Sequence, residues 1–154
     1  MSAALKDDLF ADRNAWVSHQ IVTFMVDNQV FATPIGTVRE IRGWQATTPL
    51  PNADPGVVGV LNLRGQIIPI YDLRRCLGLQ PSDRPSSSVT IVVDTGEKLV
   101  GILADSVSDI LDVAPEETRD PPLRNVGEGT GLVVKFIVKG EAVIALLDLS
   151  VVVG

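Results

Sequence analysis

Short apolar runs separated by turn residues dominate the first part of the chain. Residues 21–26 are mostly apolar, Asp27 and Asn28 supply a two-residue turn, and residues 29–32 return as a second run. This pattern predicts a β-hairpin at the start of the fold. Pro34 is expected to end the return strand, and we predict an irregular or helical turn over residues 35–41.

A second hairpin is predicted over residues 58–71, with Arg64-Gly65 at its tip, because Gly tolerates the positive φ angle that such a turn needs. Asp72 follows the return strand. Its carboxylate can accept hydrogen bonds from N–H groups two and three residues on, so residues 73–77 are predicted to form a short helix that Gly78 ends.

The rest of the chain repeats the hairpin pattern. Two further hairpins are predicted, over residues 89–104 around Asp94-Thr95-Gly96-Glu97 and over residues 132–147 around Lys139-Gly140. Residues 1–18 are expected to form a tail or short helix before a domain over 19–154, and the Pro- and Ser-rich residues 81–88 an exposed connector between halves. Many short strands with little helix favour a closed or nearly closed β-barrel, which hides strand edges.

Composition excludes several classes of protein. The longest apolar run falls well short of the roughly 18 residues that a membrane helix needs, so we expect a soluble, cytoplasmic protein without direct membrane insertion. The net charge is −6 and 5% of residues are aromatic, which offers no surface for tracking phosphates and argues against nucleic acid as a partner. The single cysteine excludes an internal disulfide and a multi-cysteine zinc site; no metal site or cofactor is predicted.

Catalytic chemistry is sparse in this sequence. His19 and Cys76 lie far apart, and each is better explained as an edge or packing residue than as a catalytic group. Asp94-Thr95-Gly96 after an apolar strand is the motif of aspartic proteases, which need two apposed carboxylates, so a second Asp would have to come from a dimer. The same residues form a natural hairpin turn, which we favour. We therefore predict that the protein is not an enzyme, with an aspartic-protease-like enzyme using Asp94 as an alternative.

An ordered series of motifs resembles the CheW family of bacterial chemotaxis coupling proteins. The matching residues extend over about 19–150 and are Glu40-Ile41-Arg42-Gly43, Pro51-Asn52, Gly59, Asn62-Leu63-Arg64-Gly65, Pro69, Asp72-Leu73-Arg74, Val107-Ser108-Asp109-Ile110-Leu111 and Pro115-Glu116-Glu117. An ordered series of this kind is far more specific than one short motif.

The resemblance implies an all-β fold of two five-stranded SH3-like β-barrel subdomains that share a hydrophobic core. It also implies a non-catalytic adaptor that couples methyl-accepting chemotaxis receptors to the regulatory domain of the histidine kinase CheA and helps control kinase activity. Such a protein is expected in the cytoplasm, associated with membrane receptor arrays. A generic SH3-like peptide-binding module is a further alternative, although the few aromatic residues form no evident cluster.

The resemblance also implies two binding surfaces. The expected receptor-binding residues are Val38, Glu40, Ile41, Gly59, Asn62 and Arg64, and Val107 and Asp109 are nominated for the kinase. From the residues alone, Arg64 is either a solvated turn residue or a guanidinium free to bind a carboxylate. Val38 and Ile41, three residues apart, would share one face of a helical turn that points either to the core or to the surface.

Overall fold

The computed structural model describes residues 19–54, 56–80, 87–120 and 132–149. These residues are mostly β-strand. The strands are β1 (His19–Val26), β2 (Gln29–Pro34), β3 (Val38–Gly43), β4 (Val57–Leu63), β5 (Gln66–Asp72), β6 (Val89–Asp94), β7 (Leu99–Ala104), β8 (Ser106–Val113), β9 (Thr118–Arg119), β10 (Val133–Lys139) and β11 (Ala142–Leu147). One α-helix, α1 (Leu73–Cys76), and the 3-10 helices Ile35–Thr37 and Pro115–Glu117 complete the described part.

All four predicted hairpins are present. In the first, Asp27 and Asn28 have φ angles of 52° and 64°, and Val26 pairs with Gln29 across the turn. Positive φ at both central residues is the geometry that matches the right-handed twist of the flanking strands. The hairpins β4–β5, β6–β7 and β10–β11 are antiparallel in the same way.

The strands form two sheets. The first has the order β8-β1-β2-β11-β10-β9 and the second the order β3-β6-β7-β5-β4. In each sheet two hairpins meet along one parallel pair, β2 with β11 and β5 with β7. The strand that follows one hairpin crosses to the other sheet: β3 follows β2 but pairs with β6, and β8 follows β7 but pairs with β1.

Three apolar clusters hold this arrangement. One, centred on Ile21, Ile137 and Leu146, lies in the first sheet, and another, centred on Ile68 and Ile70, lies in the second. The third and largest combines residues of both sheets, including Phe24, Phe31, Tyr71, Ile91, Ile102 and Leu147. The prediction of an all-β fold with a shared core is therefore confirmed, and the two-residue strand β9 is an addition to the first sheet.

The segment before Glu40 differs from the prediction. The helical turn is limited to Ile35–Thr37, and the chain then forms β3, whose residues pair with β6 from Val38↔Val93 to Gly43↔Val89. Backbone pairing with a buried strand overrides the local pattern here. Val38 and Ile41 therefore do not share a helical face.

The short helix after β5 forms as the sequence predicts. The Asp72 carboxylate accepts a hydrogen bond from the Arg74 N–H at 3.0 Å, and Gly78, with φ of 75°, ends the helix. The N–H groups of Gly78 and Leu79 donate to the carbonyls of Arg75 and Arg74, which is the Schellman arrangement.

The predicted tail over 1–18 lies outside the described residues, as do 81–86 of the predicted connector. The strands on either side of that connector, β5 and β6, both belong to the second sheet. The boundary between the sheets therefore does not fall at a single point along the chain, because β3 and β8 each cross it.

Candidate functional site

The six residues nominated for receptor binding all lie in the second sheet. Val38, Glu40 and Ile41 are on β3, Gly59 and Asn62 are on β4, and Arg64 is in the turn after β4. Because β3 and β4 are the two edge strands of this sheet, they are separated by the three strands β6, β7 and β5. In a flat sheet, the nominated residues of β3 and those of β4 would be three strands apart.

An ion pair nevertheless joins the two edges. Arg64 Nη2 lies 2.7 Å from Glu40 Oε1, so the second sheet curls far enough for its edge strands to approach at this corner. The pair is asymmetric in exposure, since the Arg64 side chain is 72% exposed and that of Glu40 only 24%. A partner protein approaching this corner would therefore meet the guanidinium before the carboxylate.

The hairpin turn fixes the backbone from which Arg64 projects. Arg64 has a φ of 52°, a left-handed conformation that costs a non-glycine residue about 1 kcal/mol. The Asn62 side-chain oxygen accepts the Gly65 N–H at 2.8 Å, which stabilises the turn. Asn62 therefore stabilises the turn and is also exposed at the surface.

Gly59 is buried beneath the loop that connects β3 to β4. Thr48 of that loop pairs with Val60 through two backbone hydrogen bonds of 2.9 and 3.0 Å. A Cβ atom at position 59 would lie 2.7 Å from the Thr48 carbonyl oxygen. Glycine is required at this position because the backbone of the loop passes directly over it.

The apolar members of the nominated set differ in exposure. Val38 is partly buried and packs against the cluster shared by both sheets, whereas Ile41 is 47% exposed. Ile67, which pairs with Asn62 in the second cross-strand pair from the Arg64-Gly65 turn, is 61% exposed. Ile41 and Ile67 are therefore the members of this region with the most exposed apolar surface.

The sequence interpretation missed two residues of this site. Arg42 Nη1 lies 3.2 Å from Glu40 Oε2, so Glu40 contacts two arginines. A strand assignment for residues 38–43 would have revealed Arg42, because residues two apart in a strand share a face. Ile67 carried a signal too, since a two-residue turn at Arg64-Gly65 pairs Leu63 with Gln66 and Asn62 with Ile67.

Val107 and Asp109 lie in the first sheet, on the edge strand β8. Val107 is partly buried against the shared cluster, while Asp109 is exposed. The Asp109 backbone is anchored to β1, because its N–H donates to Thr23 Oγ1 and its carbonyl accepts from the same hydroxyl, at 3.0 and 3.1 Å. Val107 and Asp109 therefore lie at an edge of the first sheet, whereas Glu40 and Arg64 lie at the edges of the second sheet.

Asp94 has the contacts of a turn residue. Its carboxylate accepts the Gly96 N–H at 2.8 Å and pairs with Arg39 at 3.0 Å. Within the described ranges, no three His, Cys, Asp or Glu side chains are grouped so as to hold a metal ion. The helices found in those ranges are also too short or too polar to cross a membrane.

Comparison with known proteins gives a consistent result. The model of the CheW-like domain matches residues 20–154. A probable chemotaxis protein CheW of Rhizobium etli is 40% identical over 122 residues, covering 79% of this chain and 75% of that protein. The chemotaxis protein CheW of Klebsiella aerogenes is 34% identical over 134 residues, covering 87% and 81%.

A solved structure has the same fold. The crystal structure of the scaffolding protein TtCheW from Thermoanaerobacter tengcongensis superimposes with a TM-score of 0.77 at 23% identity, covering 85% of this chain and 89% of that one. The family resemblance indicated by the sequence motifs is thereby confirmed, and with it the expectation that the protein is not an enzyme. The chain belongs to the CheW family, a non-catalytic family whose relatives are named chemotaxis proteins.

Proposed function

We propose that this protein couples methyl-accepting chemotaxis receptors to the regulatory domain of a CheA-type histidine kinase, and that it helps to control the kinase. The observation that carries this proposal is the exposed Arg64, which Glu40 holds at the corner where the edges of the second sheet meet. A positioned guanidinium suits the recognition of a carboxylate on a partner protein. The complex would lie at the cytoplasmic face of the receptor-bearing membrane.

The receptor-binding surface would combine direct contacts with residues that shape them. Arg64, Glu40, Asn62 and Ile41 are accessible at or near the surface, so we assign them to contact. Val38 and Gly59 would act indirectly, because Val38 packs against the shared cluster and Gly59 lies beneath the Thr48 loop. Substitutions at these last two positions would then alter receptor binding through the shape of the second sheet.

The kinase would bind at the edge of the first sheet, around Val107 and Asp109. β8 and the β4–β5 hairpin belong to different sheets, so the two proposed surfaces share no strand, and in this proposal one molecule binds both partners at once. Simultaneous binding raises the effective concentration of kinase at the receptor and lets the receptor conformation bias kinase activity. This role is scaffolding and needs no chemical step.

The first experiment is co-sedimentation of the protein with receptor-containing membranes, with and without CheA-type kinase. Wild type is compared with Arg64→Ala and with Arg39→Ala, a matched control that removes an arginine from the neighbouring Asp94 pair. Asp109→Ala tests the kinase surface in the same assay. Circular dichroism confirms that each variant is folded.

We expect Arg64→Ala to lose receptor association while it retains the kinase, and Asp109→Ala to show the reverse. Arg39→Ala should resemble wild type in both respects. If folded wild-type protein sediments with neither partner, the proposed coupling is wrong. Equal losses for Arg64→Ala and Arg39→Ala would instead assign the effect to net charge and remove Arg64 from the receptor surface.

A further inference from the structure

Glu40 lies between two arginines that differ in how they are held. Arg42 contacts Oε2 at 3.2 Å and belongs to β3, where its backbone pairs with Thr90 of β6. Arg64 contacts Oε1 at 2.7 Å from the tip of a hairpin. The Arg42 side chain is 31% exposed and that of Arg64 72%. One arginine thus projects from a paired strand of the sheet, and the other projects from the hairpin tip with most of its side chain exposed.

This difference matters when Arg64 binds a partner. Glu40 partly neutralises the guanidinium through its contact with Nη2, so Arg64 attracts a second carboxylate more strongly when that contact loosens. Losing every cationic partner is costly for a carboxylate that is only 24% exposed, because its charge would then have no compensation. With Arg42 in place, the Glu40 carboxylate keeps a cationic partner after Arg64 has moved.

We propose that Arg42 is a positioning residue that keeps Glu40 paired and oriented, and thereby allows Arg64 to exchange Glu40 for a carboxylate of an acidic segment on the partner protein. The three side chains carry one net positive charge, which suits such a partner. Arg42 acts through Glu40 and not through direct contact. This inference rests on the proposed receptor-binding function of Arg64.

The first test measures the dissociation constant of the protein and several variants for receptor-containing membranes. Arg42→Gln should weaken binding about fivefold, because the variant loses the Arg42–Glu40 ion pair, and an exposed ion pair contributes a modest free energy. Arg42→Lys should restore most of the affinity because it keeps the charge. Arg39→Gln, which makes the same charge change on the same strand, should have little effect.

The decisive comparison uses Glu40→Gln as a background. Once the carboxylate is absent, no charge remains for Arg42 to compensate, so adding Arg42→Gln should cause no further loss. An equal loss in both backgrounds would overturn the proposal and show that Arg42 contacts the partner directly. An equal loss for Arg39→Gln would also overturn it, because long-range attraction would then explain the effect.

A second measurement needs no partner and separates this inference from the proposed function. In the free protein, ¹⁵N NMR of the Arg64 side chain reports how tightly its guanidinium is held. Arg42→Gln should slow rotation of the Arg64 guanidinium, because Glu40 is left with Arg64 alone, and Arg42→Lys should not. Unchanged Arg64 dynamics would refute the positioning role even if receptors bind, whereas slowed rotation without receptor binding would refute only the proposed function.

Discussion

Arg74 of α1 forms a bidentate ion pair with Asp105, the residue between β7 and β8. Arg74 Nε and Nη2 donate to the two carboxylate oxygens of Asp105 at 3.1 and 2.7 Å. Asp105 Oδ2 also accepts the Asp27 N–H at 2.9 Å, and the Asp105 N–H donates to the Met25 carbonyl. The pair therefore connects the helix of the second sheet to the first hairpin of the first sheet.

Removing this pair should destabilise the protein more than removing a surface pair. The Arg74 side chain is only 16% exposed, and bidentate bonds to a carboxylate are the stronger kind. We expect Asp105→Asn or Arg74→Gln to lower the free energy of unfolding by about 2 kcal/mol. Urea denaturation measures this, with Arg39→Gln as a control expected to change the value by less than about 1 kcal/mol. Equal effects would contradict the assigned importance of the Arg74 pair.

The same pair predicts how stability changes with pH. Hydrogen bonding to Arg74 is the main cause that lowers the pKa of Asp105 below its ordinary value of 3.8. A carboxyl whose pKa is lower in the folded state stabilises the fold fully above the unfolded value, and this contribution is lost as the pH falls through the folded value. Unfolding in urea should therefore become easier below about pH 4, and this part of the pH dependence should be absent in Asp105→Asn. A variant that retains the full wild-type dependence would assign it to other carboxylates.

Gly59→Ala should destabilise the protein for a steric reason. Its Cβ would approach both the side chain and the backbone of the loop over β4, with the Thr47 Cβ and the Thr48 carbonyl oxygen each at 2.7 Å. We expect a loss of about 2 kcal/mol, which is in the usual range for an overpacked site. Gly43→Ala is the control, because nothing lies within 4 Å of a Cβ there.

The comparison also decides how Gly59 contributes to binding. If Gly59→Ala weakens receptor association together with stability, its role is to shape the second sheet, as proposed. Loss of binding with wild-type stability in urea would contradict the steric account and place Gly59 in direct contact with the receptor.

The hairpins could be predicted from the sequence because their determinants are local. Asp27-Asn28 and Arg64-Gly65 adopt the positive φ angles of two-residue turns, and each stands between two apolar runs. The caps of α1 are equally local. The strand β3 was not predicted, because its structure depends on pairing with β6, which lies about 50 residues further along the chain.

The pairing of the two hairpins within each sheet could not be predicted from periodicity. Parallel contacts such as Ala145↔Phe31 and Tyr71↔Ile102 join segments that no short turn connects. For the candidate site, the family resemblance named Glu40 and Arg64 but not their contact. That contact depends on curling of the second sheet, which brings its edge strands together.

Cys76 should be unreactive in the folded protein. Burial, with a smaller contribution from Asp72, raises the pKa of its thiol to about 11. Since the thiolate is the nucleophile, only about one thiol in a thousand is reactive at pH 8. Alkylation by iodoacetamide should be about a hundredfold slower than in urea-unfolded protein. Comparable rates in the two states would contradict the packing role predicted for this cysteine.

The last prediction separates binding from folding at the candidate site. Because the Arg64 side chain is mostly exposed, its ion pair with Glu40 is screened by solvent and should contribute less than about 1 kcal/mol to stability. Arg64→Ala should therefore unfold in urea close to the wild-type midpoint, while receptor association is lost.

Arg64→Gly is the matched control for this prediction. Glycine adopts the left-handed φ of this position without strain, and it also lacks the guanidinium. If both variants lose receptor association although Arg64→Gly is at least as stable as wild type, stability does not explain the loss. A large drop in stability for Arg64→Ala alone would instead show that the pair supports the fold.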